Sequence, residues 1–245
     1  SAQFGPLVKP IITPRFVPSC TSELMTGLAK LTKEYDVPVQ SHLSENHGEI
    51  DWVASLHPES SNYTDVYYEH HLMGTVPTVM AHCIHLSDVE MDRMAETQTM
   101  VSHCPYSNVN LSSGIAPIRK LIERNIPIGL GSDISGGHIV SMAKVLTEAI
   151  GLSKMKWAEV DPNYAPLTLS EAFYMATKGG GQFFGHVGSF EKGYELDALI
   201  IDDTSLFDPN ERSLEERLER WLYVGDDRHI IERYVAGRVV PSPKG

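Results

Sequence analysis

Three short apolar runs in this chain each end on a polar, chemically capable residue. The run at 37–41 leads into SHLSEN, with His42 and Glu45 in His-x-x-Glu spacing; TVMAHC ends on His82; IPIGLGSD ends on Asp133. Polar groups at the carboxyl ends of successive buried strands are how parallel α/β folds build their sites. No one of these positions is specific, but the ordered set constrains both the fold and the chemistry.

The order of elements extends the pattern. Strands are expected at 9–13, 37–42, 78–82, 100–103 and 126–131, with helical segments between them. Over 21–35, Leu24, Leu28, Leu31 and Tyr35 recur at helical spacing. Ser87-x-x-Glu90 is a capping box, and a helix to Ala95 is expected to follow. Segments 115–123 and 139–155 also read as helix. Thr168-x-x-Glu171 opens another, which should stop at Gly179-Gly180-Gly181. Alternating strands and helices imply βαβ units and a parallel sheet. The continuously apolar strands predict burial on both faces. A barrel and an open doubly wound sheet both fit this pattern.

The character changes after about residue 188. A strand is expected at 197–201, and Ser213-x-x-Glu216 opens a helix carrying Leu214, Leu218, Trp221 and Leu222. Two short strands should close the chain around Ala236-Gly237. We therefore expect the parallel-sheet unit over 1–187 and a β segment outside that sheet over 188–245.

Composition narrows the classes. A net charge of −12 argues against a nucleic-acid-binding face. No apolar run approaches the roughly 20 residues of a membrane span, and the start SAQFGPLVKP has no apolar signal core. The cysteines Cys20, Cys83 and Cys104 are odd in number and show no CxxC spacing, which predicts reduced thiols in a cytoplasmic protein. No GxGxxG or GxxxxGK stretch supports a nucleotide-phosphate site.

The chemistry follows from the residue types. Histidine and aspartate are good ligands for zinc, and suit ferrous iron as well. A bound ion of that kind lowers the pKa of water to about 7. Glu45, three residues beyond His42, is then a candidate proton carrier. Asp133 is a candidate ligand and base, and His82 a candidate partner of the water or of a forming oxyanion. His103 also ends an apolar run; it is either a fourth site residue or a buried histidine below the pocket, and we favour the second. His47, His57, His70, His71, His138, His186 and His229 have no partner pattern. Met91, Met94 and Met100 are expected in the core, and the acidic residues of 215–219 on a solvated helix face.

At this point the residues resemble a known family. ITPRF at 12–16, QSHLSEN at 40–46, HCPYSNVNLSSG at 103–114 and GLGSDISGG at 129–137 are similar to the amidohydrolase superfamily, in its deaminase–chlorohydrolase branch. VMAHCIHLS at 79–87, YVGDD and YVAGRVV add to the likeness, and TPRF with SEN narrows it to guanine-deaminating members. The resemblance implies a (β/α)8 barrel with one zinc ion, a small β-sandwich, and hydrolysis of guanine to xanthine and ammonia in purine catabolism or salvage. It implies that His42 and Asp133 hold the metal, Glu45 shuttles the proton and His82 orients the water. It further implies that Arg15 and Phe16 contact the purine, and that the protein is a homodimer.

One departure is large. The family carries a His-x-His pair on its first strand, and no HxH occurs in this sequence. The chain is therefore expected to hold strands four to eight of the barrel and to need an N-terminal segment for a complete site. A smaller departure is GGHIVSM at 136–142, where relatives usually carry an aromatic residue near His138. The competing expectations are a deaminase or chlorohydrolase of another heterocycle, which the arginine of TPRF argues against, and a non-catalytic assembly remnant. Packing alone does not require four polar groups at strand ends, which argues against the remnant.

Overall fold

The structure, a computed structural model, describes residues 7–241. Four strands form a parallel sheet: β1 (Val39–Leu43), β2 (Thr78–His82), β3 (Met100–His103) and β4 (Ile128–Leu130). Their spatial order is β1-β2-β3-β4, the order of the chain. Each parallel step needs a crossover, because a tight turn cannot reverse the chain twice. Helices supply these crossovers: α1 (Ser22–Tyr35) precedes β1, and α2 (His47–Leu56) with α3 (Tyr63–Glu69) joins β1 to β2. Next come α4 (Asp88–Glu96), α5 (Pro105–Asn110) and α6 (Ile118–Glu123), then α7 (Met142–Glu159) and α8 (Leu169–Tyr174). α8 runs on through a wide turn over Met175–Gly179.

The register sets which side chains share a face. Val39 pairs with Thr78, and Leu43 with His82. Val39, Ser41 and Leu43 are buried under the helices, while Gln40 is exposed and His42 half-buried. The expectation of burial on both faces therefore holds for one face. Among the described residues the other face is partly accessible at Gln40, His42, Ala81 and Ser102.

The first expected strand, 9–13, is reduced to one parallel bridge between Ile12 and Val39. The segment does run along β1, with Ile12 N–H donating to Pro38 O at 2.9 Å and Gln40 N–H to Ile12 O at 2.9 Å. Pro10 and Pro14 flank that bridge, and proline brings no N–H to a ladder.

α1 presents a different face from the one its spacing suggests. Met25 and Thr32 are fully buried, while Leu24, Leu31 and Tyr35 are exposed. Neighbouring residues on a helix are turned by about 100°, so a stripe chosen one residue off lies at the flank of the true contact row. Capping behaves as expected, because the boxes Ser87/Glu90, Thr168/Glu171 and Ser213/Glu216 all form. Met91, Met94 and Met100 are buried in the core.

A second, antiparallel sheet contains β5 (Ala198–Ile201), β6 (Ile230–Val235) and β7 (Arg238–Val239), with the turn at Ala236-Gly237. Between β5 and β6, α9 (Leu214–Val224) buries Trp221 and Leu222, while Leu214 at its start is exposed. Lys144 Nζ of α7 donates to Tyr223 O at 3.0 Å, tying α9 to the first sheet's helices. No helix among the described residues is long and apolar enough to cross a membrane.

The glycine run after α8 is required by space. A Cβ on Gly181 would lie 2.2 Å from Val187 O. Gly181→Ala must move backbone, so we expect a loss of about 1–3 kcal/mol, the usual range for overpacking. A lower urea midpoint at unchanged slope is the expected reading.

Candidate strand-end site

The expected residues gather where the strands of the parallel sheet end. Glu45 leaves β1 through Ser44, whose φ is 49°. His82 and Cys83 end β2 with φ of 70° and 53°, and Asp133 follows β4 with φ of 44°. Left-handed backbone costs a non-glycine residue about 1–2 kcal/mol, so each turn is imposed by its surroundings. It also re-aims each side chain. The Asp133 loop needs glycines as well: a Cβ on Gly136 would lie 2.8 Å from Asp133 Oδ2, and one on Gly137 would lie 2.4 Å from Ser132 O.

The result is a convergence. His82 Nε2 lies 3.7 Å from Glu45 Oε2 and 3.8 Å from Asp133 Oδ2. Both separations exceed a direct hydrogen bond and suit a bridging water or ion. His82 is 1% exposed, and its Nε2 has no hydrogen-bond partner. The other ends of these groups are held. His82 Nδ1 is 3.0 Å from Asn108 Oδ1, and Ser113 Oγ donates to Glu45 Oε1 at 3.0 Å.

The donor set fits a divalent ion of the zinc type. Ligand atoms of His82, Cys104 and Asp133 all lie within 4.8 Å of one another. The 3.8 Å between His82 Nε2 and Asp133 Oδ2 leaves room for a water that both contact. Burial pushes the Cys104 thiol up to about 12, so on its own it stays protonated at neutral pH. His42 does not join that cluster. Its ring stacks beside His82 at 5.3 Å between centroids, and its Nδ1 donates to Arg15 O at 2.5 Å. That bond leaves Nε2 free, the usual arrangement of a metal-binding histidine.

Arg15 and Phe16 stand next to His42 because the Arg15 carbonyl holds β1. It accepts from His42 N–H at 3.3 Å and from Ser41 Oγ at 3.2 Å, besides the His42 ring. The Arg15 side chain is exposed, with its guanidinium carbon 5.3 Å above the Phe16 ring. Trp52 of α2 meets Phe16 edge-on at 6.2 Å.

Sequence reasoning missed Trp52, Asn108, Ser113, Cys104 and Glu49. Glu49 is buried; it accepts from Glu45 N–H at 3.0 Å and from Tyr63 Oη at 2.7 Å. Tyr67 Oη donates to His42 O at 2.9 Å and meets Ser41 Oγ at 2.6 Å. The signals for Cys104, Asn108 and Ser113 were inside the HCPYSNVNLSSG stretch, which carried the family likeness without roles.

The parallel α/β sheet gathers an imidazole and two carboxylates beyond its strand ends, where folds of this class build their sites. The chain belongs to the amidohydrolase family, whose profile matches residues 2–240. It is 45% identical to the guanine deaminase of Dictyostelium discoideum over 98% of this chain and 54% of that protein. It is 37% identical to that of Escherichia coli over 94% of this chain and 52% of that protein. Among solved structures, guanine deaminase from C. acetobutylicum with bound guanine in the active site superposes with a TM-score of 0.94. That protein is 54% identical, over 98% of this chain and 57% of its own. The chain spans about half the length of the curated relatives it matches.

His103 is buried. It is 2% exposed and its Nδ1 has no partner. Burial, with His82 beside it, holds its pKa down to about 3 against an ordinary 6.5. The unfolded chain therefore binds the extra proton first, and stability falls as pH drops from about 6.5 towards 3. Above 6.5 both states are neutral and the effect is gone. Urea unfolding from pH 7 to pH 4 is expected to show a smaller loss for His103→Gln than for the parent; an identical slope would contradict the assignment.

Proposed function

We propose that this chain contributes the strand-end half of a metal-dependent hydrolase that deaminates guanine to xanthine and ammonia. The observation that carries the reading is the convergence of His82 Nε2, Glu45 and Asp133 beside Arg15 and Phe16. Support also comes from the relatives named for that reaction, and from the guanine bound in the active site of the C. acetobutylicum enzyme. Hydrolysis forms a C–O bond at C2 of the purine and breaks the C2–N bond to the amino group.

His42 and Asp133 would hold a zinc-type ion, with ferrous iron the other ion these ligands suit. When bound, such an ion supplies an activated water at neutral pH. The remaining steps belong to side chains. Asp133 takes a proton from the water, and His82 orients it. Glu45 carries the proton to the purine and on to the leaving ammonia. Arg15 reads the O6/N7 edge, which points away from C2, and its planar fork matches two adjacent acceptors. Phe16 stacks on or walls the ring.

The wider architecture belongs to the same proposal. Strand order that follows the chain without reversal supports a sector of a (β/α)8 barrel over a doubly wound sheet. We place the division between the barrel portion and the β-sandwich portion at 187/188. Two ligands fall short of the three that catalytic zinc sites use, and the reading draws the rest from an N-terminal segment of the same enzyme. It carries with it a homodimer and a reducing, cytoplasmic setting, the latter supported by three free cysteines.

Two substitutions test the reading in the full-length protein. Glu45→Gln keeps the size of the side chain but cannot carry a proton. It is expected to retain the metal and lose about 10²-fold or more in turnover. Near-normal turnover at saturating guanine would remove Glu45 from the mechanism. Arg15→Ala is expected to cost about 1–3 kcal/mol in guanine recognition at unchanged metal content, with Arg15→Lys recovering only part. Unchanged catalytic efficiency for guanine in Arg15→Ala would return other heterocycles, such as triazines, to the front.

A further inference from the structure

The stretch HCPYSNVNLSSG at 103–114 holds no residue of the proposed reaction, yet its side chains reach Glu45, His82 and the loop that carries Asp133. Ser113 holds Glu45, and Asn110 Nδ2 donates to Gly136 O at 2.7 Å in the Asp133 loop. Asn108, on α5, is completely buried and touches His82. An amide oxygen 3.0 Å from Nδ1 accepts a hydrogen bond only if Nδ1 carries the proton. A neutral imidazole has one N–H, so Nε2 then presents a lone pair.

That choice decides what the centre of the site is. With a lone pair on Nε2, the point at Nε2 is bordered by acceptors alone, with Glu45 Oε2 3.7 Å and Asp133 Oδ2 3.8 Å from it. Three acceptors without a donor repel one another, and the point then favours a water molecule or a cation. With the proton on Nε2 instead, the imidazole would aim a donor at the same point and compete with the water's own hydrogens. Asn108 Nδ2 has no partner, so the side chain's single hydrogen bond is the one to His82.

We propose that Asn108 is a positioning residue that fixes His82 as the Nδ1–H tautomer, so that Nε2 accepts a hydrogen bond from the water between Glu45 and Asp133. The proposal rests on the reading of the site as a water-activating one, and deepens it by naming what selects the form of His82.

Nitrogen-15 NMR of the zinc-loaded full-length protein, labelled at histidine, reads the tautomer without reference to catalysis. The His82 signals are identified by their loss in His82→Gln. In the parent, Nδ1 is expected to be the protonated nitrogen and Nε2 the bare one; a protonated Nε2 overturns the proposal. Asn108→Leu keeps the bulk and removes the acceptor. It is expected to shift His82 towards the Nε2–H form and to lower kcat, with little change in KM. A folded Asn108→Leu protein with the parent tautomer overturns the role of Asn108. Should that variant fail to fold, Asn108→Asp preserves an acceptor and is expected to keep Nδ1–H; its loss there counts against the proposal. If the parent shows the Nδ1–H form but does not turn over guanine, the functional reading fails and the tautomer assignment stands.

Discussion

The site depends on one electrostatic constraint: under the proposed tautomer, His82 Nε2 is an acceptor set beside two carboxylates. His82 Nε2, Glu45 Oε2 and Asp133 Oδ2 meet at 3.7 and 3.8 Å. Left alone, the two carboxylates would drift apart into water. Here Ser113 holds Glu45, Asn108 holds the His82 ring, and Asn110 ties down the loop that carries Asp133. The backbone contributes as well, with Ser44, His82, Cys83 and Asp133 all left-handed. Strain of this kind persists where the surroundings over-determine it, and it is concentrated at working sites. The buried core between sheet and helices supplies the stability against which that strain is set.

A second, buried network sits behind the first and fixes the end of β1. Glu49 accepts from the backbone of Glu45 and from Tyr63, while Tyr67 donates to the His42 carbonyl. Burial raises the Tyr63 phenol far above its ordinary value, with Tyr67 and Glu49 beside it adding to the effect. Both tyrosines therefore remain donors across the working pH range. His42, Glu45 and helix α2 are thus registered to one another by hydrogen bonds that contain no titrating donor near neutrality.

What could be read from the sequence follows from how local each signal is. β2 and β3 and the three capping boxes are written in adjacent residues, and they were legible. α3 was not: YTDVYYE is rich in β-branched and aromatic residues of modest helix propensity, and Asn62 caps it. α5 is six residues long and begins at a proline, too short for a period to emerge. In the site, His42, Glu45, His82 and Asp133 were legible because each ends, or closely follows, an apolar run. Their holders were not, since Asn108 lies 26 residues from His82 and Ser113 lies 68 from Glu45. Only the fold makes such pairs neighbours. The strand expected at 9–13 shrinks to one bridge because Pro10 within it and Pro14 after it bring no N–H to a ladder.

Arg15 shows how one residue can serve the site twice through separable groups. Its carbonyl accepts from the His42 ring, the His42 backbone and Ser41 Oγ. These bonds hold the histidine's orientation and belong to the backbone, which any side chain at this position would keep. The guanidinium is exposed and lies over Phe16, which Trp52 supports edge-on. A flat cation beside an aromatic edge pair is suited to a planar, acceptor-bearing ring. Under the proposed reaction, positioning is thus carried by the main chain and specificity by the side chain. A change of side chain at this position would therefore alter the substrate edge without disturbing the histidine.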